Sequence, residues 1–157
     1  MILSRPIIFI ALLVGCTSSS TAMPLEFARR GPDCHARGLL PDPTCTPGDV
    51  ATNHLNIICG SSTRDRRNVP DATKEKVLKA YGMEHGDLEI DHLVAIEIGG
   101  SNSMLNLWPE KAPGYGLKDI VENWTHRQIC SGKMSVERAQ LQMAIDWTVL
   151  QKEMEDE

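Results

Sequence analysis

The sequence predicts an α+β fold: a short β-hairpin and the helix after it, flanked by further helices, with a Pro-rich, disulfide-stapled segment in front. Three observations predict it. Residues 87–99 are apolar and β-branched, and Gly99-Gly100 ends them. Three later or earlier stretches, 72–81, 116–130 and 135–152, repeat apolar residues at helical spacing. Residues 31–49 carry Gly31-Pro32, Pro41, Pro43 and Pro47-Gly48, which punctuate loop and turn.

The first residues, Met-Ile-Leu-Ser-Arg-Pro, carry one positive charge at Arg5 and lead into a run from Ile7 to Gly15, shorter than the roughly 20 residues that span a bilayer but suited to a signal-peptide core. Leu13-Val14-Gly15-Cys16 has the form of a bacterial lipobox, which implies residues 1–15 as a lipoprotein signal and acylation at Cys16. A secretory signal cut near Thr21-Ala22-Met23 is the other reading. Thr17 after the cysteine favours the outer membrane in a Gram-negative cell. Residues 16–33 then form a flexible tether, 34–152 the folded domain and 153–157 an acidic tail.

Export puts Cys34, Cys45, Cys59 and Cys130 in an oxidising compartment, where an even number of cysteines favours disulfides. The absence of Cys-x-x-Cys argues against a zinc ribbon. Four cysteines permit three pairings. The preferred one closes the Pro-rich loop by Cys34–Cys45 and ties the early region to a later helix by Cys59–Cys130; sequence alone does not fix it.

Asp71 is placed to cap the helix over 72–81, whose apolar face is Val77, Leu78 and Tyr81 and whose stop is Gly82. The hairpin follows with strands over 87–93 and 95–99, then an irregular loop over 101–115. In the helix over 116–130, Leu117, Ile120, Val121 and Trp124 form the apolar face and Asp119, Glu122, Asn123 and His126 a polar one. The final helix is capped by Ser135 and packs through Val136, Ala139, Gln140, Met143, Ala144, Trp147 and Leu150. Its acidic end, unfavourable at a helix C-terminus, is expected to fray.

Removing Arg5 leaves 16 − 1 = 15 basic against 21 acidic residues, a net charge of −6. Tight nucleic-acid binding draws mostly on Lys and Arg, so this balance speaks against it, though not against transient cutting. Ser61-Ser62-Thr63-Arg64-Asp65-Arg66-Arg67 is the one basic cluster. Arg64, Arg66 and Arg67 read either as a phosphate clamp or as a solvated loop.

The densest signal is Asp91-His92, Gly99-Gly100 and Asn106-Leu107-Trp108-Pro109, with Asn106 14 positions after His92. Around it stand Thr46-Pro47-Gly48, Tyr81-Gly82, Lys118-Asp119 with Glu122, Cys130 with Gly132, and Ala139-Gln140 with Trp147. Together these resemble a small exported bacterial HNH (ββα-metal) endonuclease family. The resemblance implies a metal-dependent nuclease that hydrolyses phosphodiester bonds in DNA, or RNA, with little sequence preference.

By that resemblance His92 is the general base and Asn106 holds the loop and orients it, while Asp91 is a direct ligand of a divalent ion. Mg²⁺ is the expected ion, with Mn²⁺, Zn²⁺ or Ni²⁺ open. The pattern departs where Tyr115 stands in the place of a helix ligand, so Asp119 and Glu122, or else His126, must complete the site. Lys118 either contacts phosphate or pairs with Glu122. Ala95 replaces a Pro found in relatives, Glu97 is expected to point away from the site, and Trp108 to pack in the core. The competing readings are a non-catalytic envelope lipoprotein that keeps the scaffold for binding or structure, and a zinc-binding structural protein. An immunity partner is left open.

Overall fold

A computed structural model describes residues 33–157. The expected signal peptide, the lipidation at Cys16 and nearly all of the tether lie outside the described residues. The fold is mixed helix and strand: α1 (Leu55–Gly60), α2 (Thr63–Arg66), α3 (Asp71–Ala80), β1 (Leu88–His92), β2 (Leu107–Lys111), α4 (Gly114–Cys130) and α5 (Val136–Glu155). Strands β1 and β2 form one antiparallel pair, with Asp91 opposite Trp108 and His92 opposite Leu107.

The second strand is therefore not residues 95–99, as the sequence suggested. Leu93, Val94, Ala95, Ile96 and Ile98 are all buried, so the alternation of faces that a half-buried strand needs is missing. Residues Ile96–Ile98 instead form a turn of 3-10 helix inside a long loop between the strands. The two glycines close that loop rather than end a strand. Gly99 has φ 99°, and a Cβ on Gly100 would lie 1.8 Å from the Val94 carbonyl oxygen. Residues 107–111, read as irregular from Trp108-Pro109, are the true partner; Pro109 is tolerated because each strand of a two-stranded sheet has a free edge.

Both disulfides form with the preferred pairing, Cys34–Cys45 and Cys59–Cys130. The first staples the N-terminal segment, where Thr46 Oγ1 meets the Tyr81 hydroxyl at 2.7 Å and donates to the Leu107 carbonyl at 3.1 Å. The second joins α1 to the end of α4. In the turn at Thr46-Pro47-Gly48, Gly48 has φ 87°, and a Cβ there would come 2.7 Å from the Ala144 Cβ of α5.

Helix α3 starts one residue earlier than expected. Pro70 holds the N-cap position and Asp71 bonds the Lys74 ammonium at 2.9 Å instead of capping. Its buried side chains are Val77 and Leu78, and Gly82 stops it with φ 59°. Helix α5 is capped by Ser135, whose Oγ accepts from Arg138 N at 3.2 Å, and buries Val136, Ala139, Gln140, Met143, Trp147 and Leu150 as read from the sequence. It breaks at Asp146, whose carboxylate then caps the second half through Thr148 N at 3.0 Å. Its acidic end does not fray: Arg138 pairs with Glu153 at 2.7 Å, and Glu157 accepts from Trp124 Nε1 and Gln128 Nε2, each at 3.0 Å. No helix among the described residues is long and apolar enough to cross a membrane.

Helix α4 departs most from its expected faces. Ile120 is exposed, whereas Lys118, Glu122, Thr125 and Gln128 share the buried side with Val121, Trp124 and Ile129. The buried side of α4 is therefore polar in part, and its Lys118 reaches β1 at Asp91 and at the His92 carbonyl.

Candidate functional site

Successive residues of a strand project to opposite faces, and β1 ends with the two residues that carry the site, Asp91 and His92. Their side chains take different partners. His92 Nε2 lies 3.0 Å from Asn102 Oδ1. The Asn102 amide is oriented by its own contacts, since Nδ2 donates to the Arg66 carbonyl at 2.8 Å and Oδ1 accepts from Asn68 N at 3.2 Å. With Oδ1 turned to the ring, Nε2 must carry the hydrogen, which leaves Nδ1 as a bare acceptor. No protein group bonds that nitrogen. Burial first, then the charges of Arg67 and Lys118, holds the ring below the usual histidine pKa, against the pull of Asn102 and Asp91. His92 is thus neutral at pH 7.

His92 lines a groove of about 690 Å³ together with Arg67, Lys74, His85, Glu89 and Ile90, yet it is only 2 % exposed. His85 also lines this groove, exposed and paired at 2.7 Å with Glu75. Asn106 holds the loop, as expected: its Oδ1 accepts from Val94 N at 2.8 Å, and its Nδ2 donates to the Val94 and Ser101 carbonyls at 2.9 Å. It does not orient the His92 ring. That task falls to Asn102, which sequence reasoning missed because nothing in its spacing sets it apart from an ordinary turn asparagine.

Across the strand, Asp91 enters a buried charged centre. The Lys118 ammonium donates to Asp91 Oδ2 at 2.8 Å, to the His92 carbonyl at 2.7 Å and to Glu122 Oε1. An ammonium has three hydrogens, and all three are used. Lys118 is fully buried; burial opposes its charge, but Glu122 and Asp91 outweigh that and raise its pKa. Burial likewise works against the Asp91 carboxylate, and Lys118 overcomes it, so Asp91 is held below its ordinary range. Glu122 is pushed up to about 8, by burial first, with Lys118 opposing and the Asp91 charge adding.

Glu110 of β2 joins them. Burial first, then the neighbouring Asp91 carboxylate, raises it to about 9, so it stands as a neutral acid; neither of its oxygens has a hydrogen-bond partner. Gly114 makes room for it, since a Cβ there would lie 2.7 Å from Glu110 Oε1. Glu110 was not anticipated; its place in an assumed loop concealed it.

The metal-ligand set expected from sequence does not converge on an open cation site. Asp91 and Glu122 do meet, but on Lys118, while Asp119 is exposed and raised by partial burial and then by the charge of Asp91. The divalent ion implied by the resemblance therefore does not fit this residue set. Lys118 is no phosphate ligand either, because it is wholly enclosed.

The basic cluster divides in the same way. Arg66 Nη1 donates to the Ile96 carbonyl at 2.7 Å and anchors the loop. Arg64 is exposed and does not line the groove, so Arg67 is the member that does. Arg67 lies 3.7 Å from Glu89 and 4.0 Å from Glu97, which turns Glu97 toward this region rather than away from it. Trp108 packs in the core as expected.

His126 lies elsewhere. Its Nε2 is 3.0 Å from the Ile58 carbonyl and 3.4 Å from Cys130 Sγ. Cys59, His126 and Cys130 bring their ligand atoms within 4.8 Å of one another, a group that could hold a metal ion, but the two cysteines are joined as a disulfide and offer no thiolate. No protein-family model, curated protein or solved structure matches the chain.

Proposed function

We propose that the chain is an exported phosphodiesterase of the HNH type, cutting nucleic acid with little sequence preference, and that His92 is its general base. The observation that carries this reading is the contact of His92 Nε2 with Asn102 Oδ1, which leaves a buried Nδ1 without a protein partner on a residue that lines the same groove as Arg67. Nδ1 is enclosed, so the ring must first be uncovered to admit the attacking water, from which Nδ1 then takes a proton as the water oxygen bonds to phosphorus. The P–O bond opposite breaks, and the leaving oxygen takes its proton from solvent. Arg67 meets the phosphate by exchanging its loose carboxylate neighbours for it. No step is routed through a metal, since the expected ligands do not fit one.

The two disulfides support export, and the lipobox at Cys16 supports a lipid-anchored envelope protein, outer-membrane in a Gram-negative cell. A second reading, a non-catalytic envelope scaffold, is favoured by the near-complete burial of His92.

Plasmid DNA and RNA incubated with the soluble chain from Ser18 onward, with and without Mg²⁺ or Mn²⁺, separate the two. Cleavage is expected, and His92→Gln, which keeps an amide donor for Asn102 but cannot act as the base, should lower the rate at least about 100-fold. A base works only when unprotonated, and burial lowers the pKa of His92, so activity should decline with acidity only below pH 6.5. A wild-type chain inert under every condition leaves the scaffold reading standing.

A further inference from the structure

We propose that the Lys118 side chain is the resident cation of this protein, standing between Asp91 and Glu122 in the place a divalent ion would take and keeping that centre free of metal. The geometry is that of a filled site. Asp91 Oδ2, the His92 carbonyl and Glu122 Oε1 converge on one point, and that point is Nζ. These are hard oxygen donors, the kind that Mg²⁺ or Mn²⁺ would take. Lys118 is completely enclosed, so an ion would have to expel an ammonium that already satisfies all its donors.

Lys118 also reaches the backbone of β1. One of its hydrogens goes to the His92 carbonyl, so the same group that neutralises Asp91 fixes the backbone of a histidine that lines the groove. Lys118 is thus a positioning residue. It does not touch the groove, and its charge needs no exchange with solvent.

The inference stands apart from the nuclease reading because its test measures metal binding directly. Mn²⁺ titration followed by electron paramagnetic resonance, with thermal melts in EDTA and in Mn²⁺, is applied to the wild type, Lys118→Ala and Asp91→Asn. The wild type should hold no Mn²⁺ at this centre and melt at the same temperature in both buffers. Lys118→Ala vacates the position and leaves Asp91, Glu122, Glu110 and the His92 carbonyl around it. It should melt lower, bind Mn²⁺ at least about tenfold more tightly than the wild type and recover stability when the ion is added.

One Mn²⁺ bound by the wild type and lost in Asp91→Asn overturns the proposal. So does a folded Lys118→Ala that gains no ion. If Lys118→Ala does not fold, the comparison of wild type with Asp91→Asn decides alone.

Discussion

The two sides of β1 handle polarity in opposite ways. On the Asp91 side, an ammonium and three carboxyl groups are packed out of water; the Lys118 ammonium makes all three of its hydrogen bonds, while neither Glu110 oxygen has a partner. On the His92 side, one ring nitrogen is fixed and the other is left with nothing. A buried polar group without a partner costs about 1–3 kcal/mol, so His92 Nδ1 and the Glu110 oxygens are the expensive atoms and the Lys118 ammonium the settled one. Neighbours in sequence thus do different work: Asp91 stabilises, and His92 is held ready for a partner the fold does not supply.

The largest test of that contrast removes Asp91. Asp91→Ala leaves Lys118 enclosed with one charge partner fewer, and breaking a buried pair from one side costs about 3–5 kcal/mol. His92→Gln should cost far less, since it gives up only the ring and an unused nitrogen. Urea unfolding of both variants checks the order; a larger loss for His92→Gln would reverse the assignment of roles.

A smaller effect comes from protons on the Asp91 side. Glu110 titrates near 9 when folded against an ordinary 4.5, so between these values the folded state holds a proton that the unfolded chain has released. Stability from this group is complete below about 4.5 and is lost as pH rises toward about 9. Glu110→Gln keeps the shape and removes the titration. Its melting temperature relative to wild type should therefore climb from pH 5 to pH 9. Parallel pH profiles for the two proteins would mean that Glu110 is not the buried acid described here.

What could be read from the sequence follows from where the information sits. The Ser135 cap acts within three residues of its own position and does in space what local chemistry suggested, and Asn106 holds its loop as expected through Val94, 12 residues away. The even cysteine count pointed to disulfides, and the preferred one of three pairings is the one that forms. The strand partner of β1 was misread because an unbroken apolar run fits a strand and a buried loop equally well, and only tertiary packing separates them. Of the two readings of Lys118, the pair with Glu122 is present and the phosphate contact is not; its burial was not legible, because it is set by Asp91, 27 residues away. Asn102 and Glu110 act only across such distances, so no local pattern marks them.

The finest distinction lies within the basic cluster and on the groove side alone. Arg67 lines the groove and its carboxylate neighbours are 3.7 and 4.0 Å away, so it gives up little on turning toward a phosphate. Exposed pairs of this kind contribute about 0–1 kcal/mol, and Arg67→Ala should leave the melting temperature almost unchanged. Its effect should appear in KM for a nucleic-acid substrate, rising several-fold while kcat holds, because a group that positions phosphate serves ground and transition states alike. Arg64, three residues away on the same short segment but outside the groove, is the internal control, and Arg64→Ala should move neither quantity. Equal effects from the two arginines would mean a diffuse electrostatic attraction, and the salt dependence of KM would then fall alike in both variants; an effect confined to Arg67 ties substrate to the face of β1 that carries the unpartnered nitrogen.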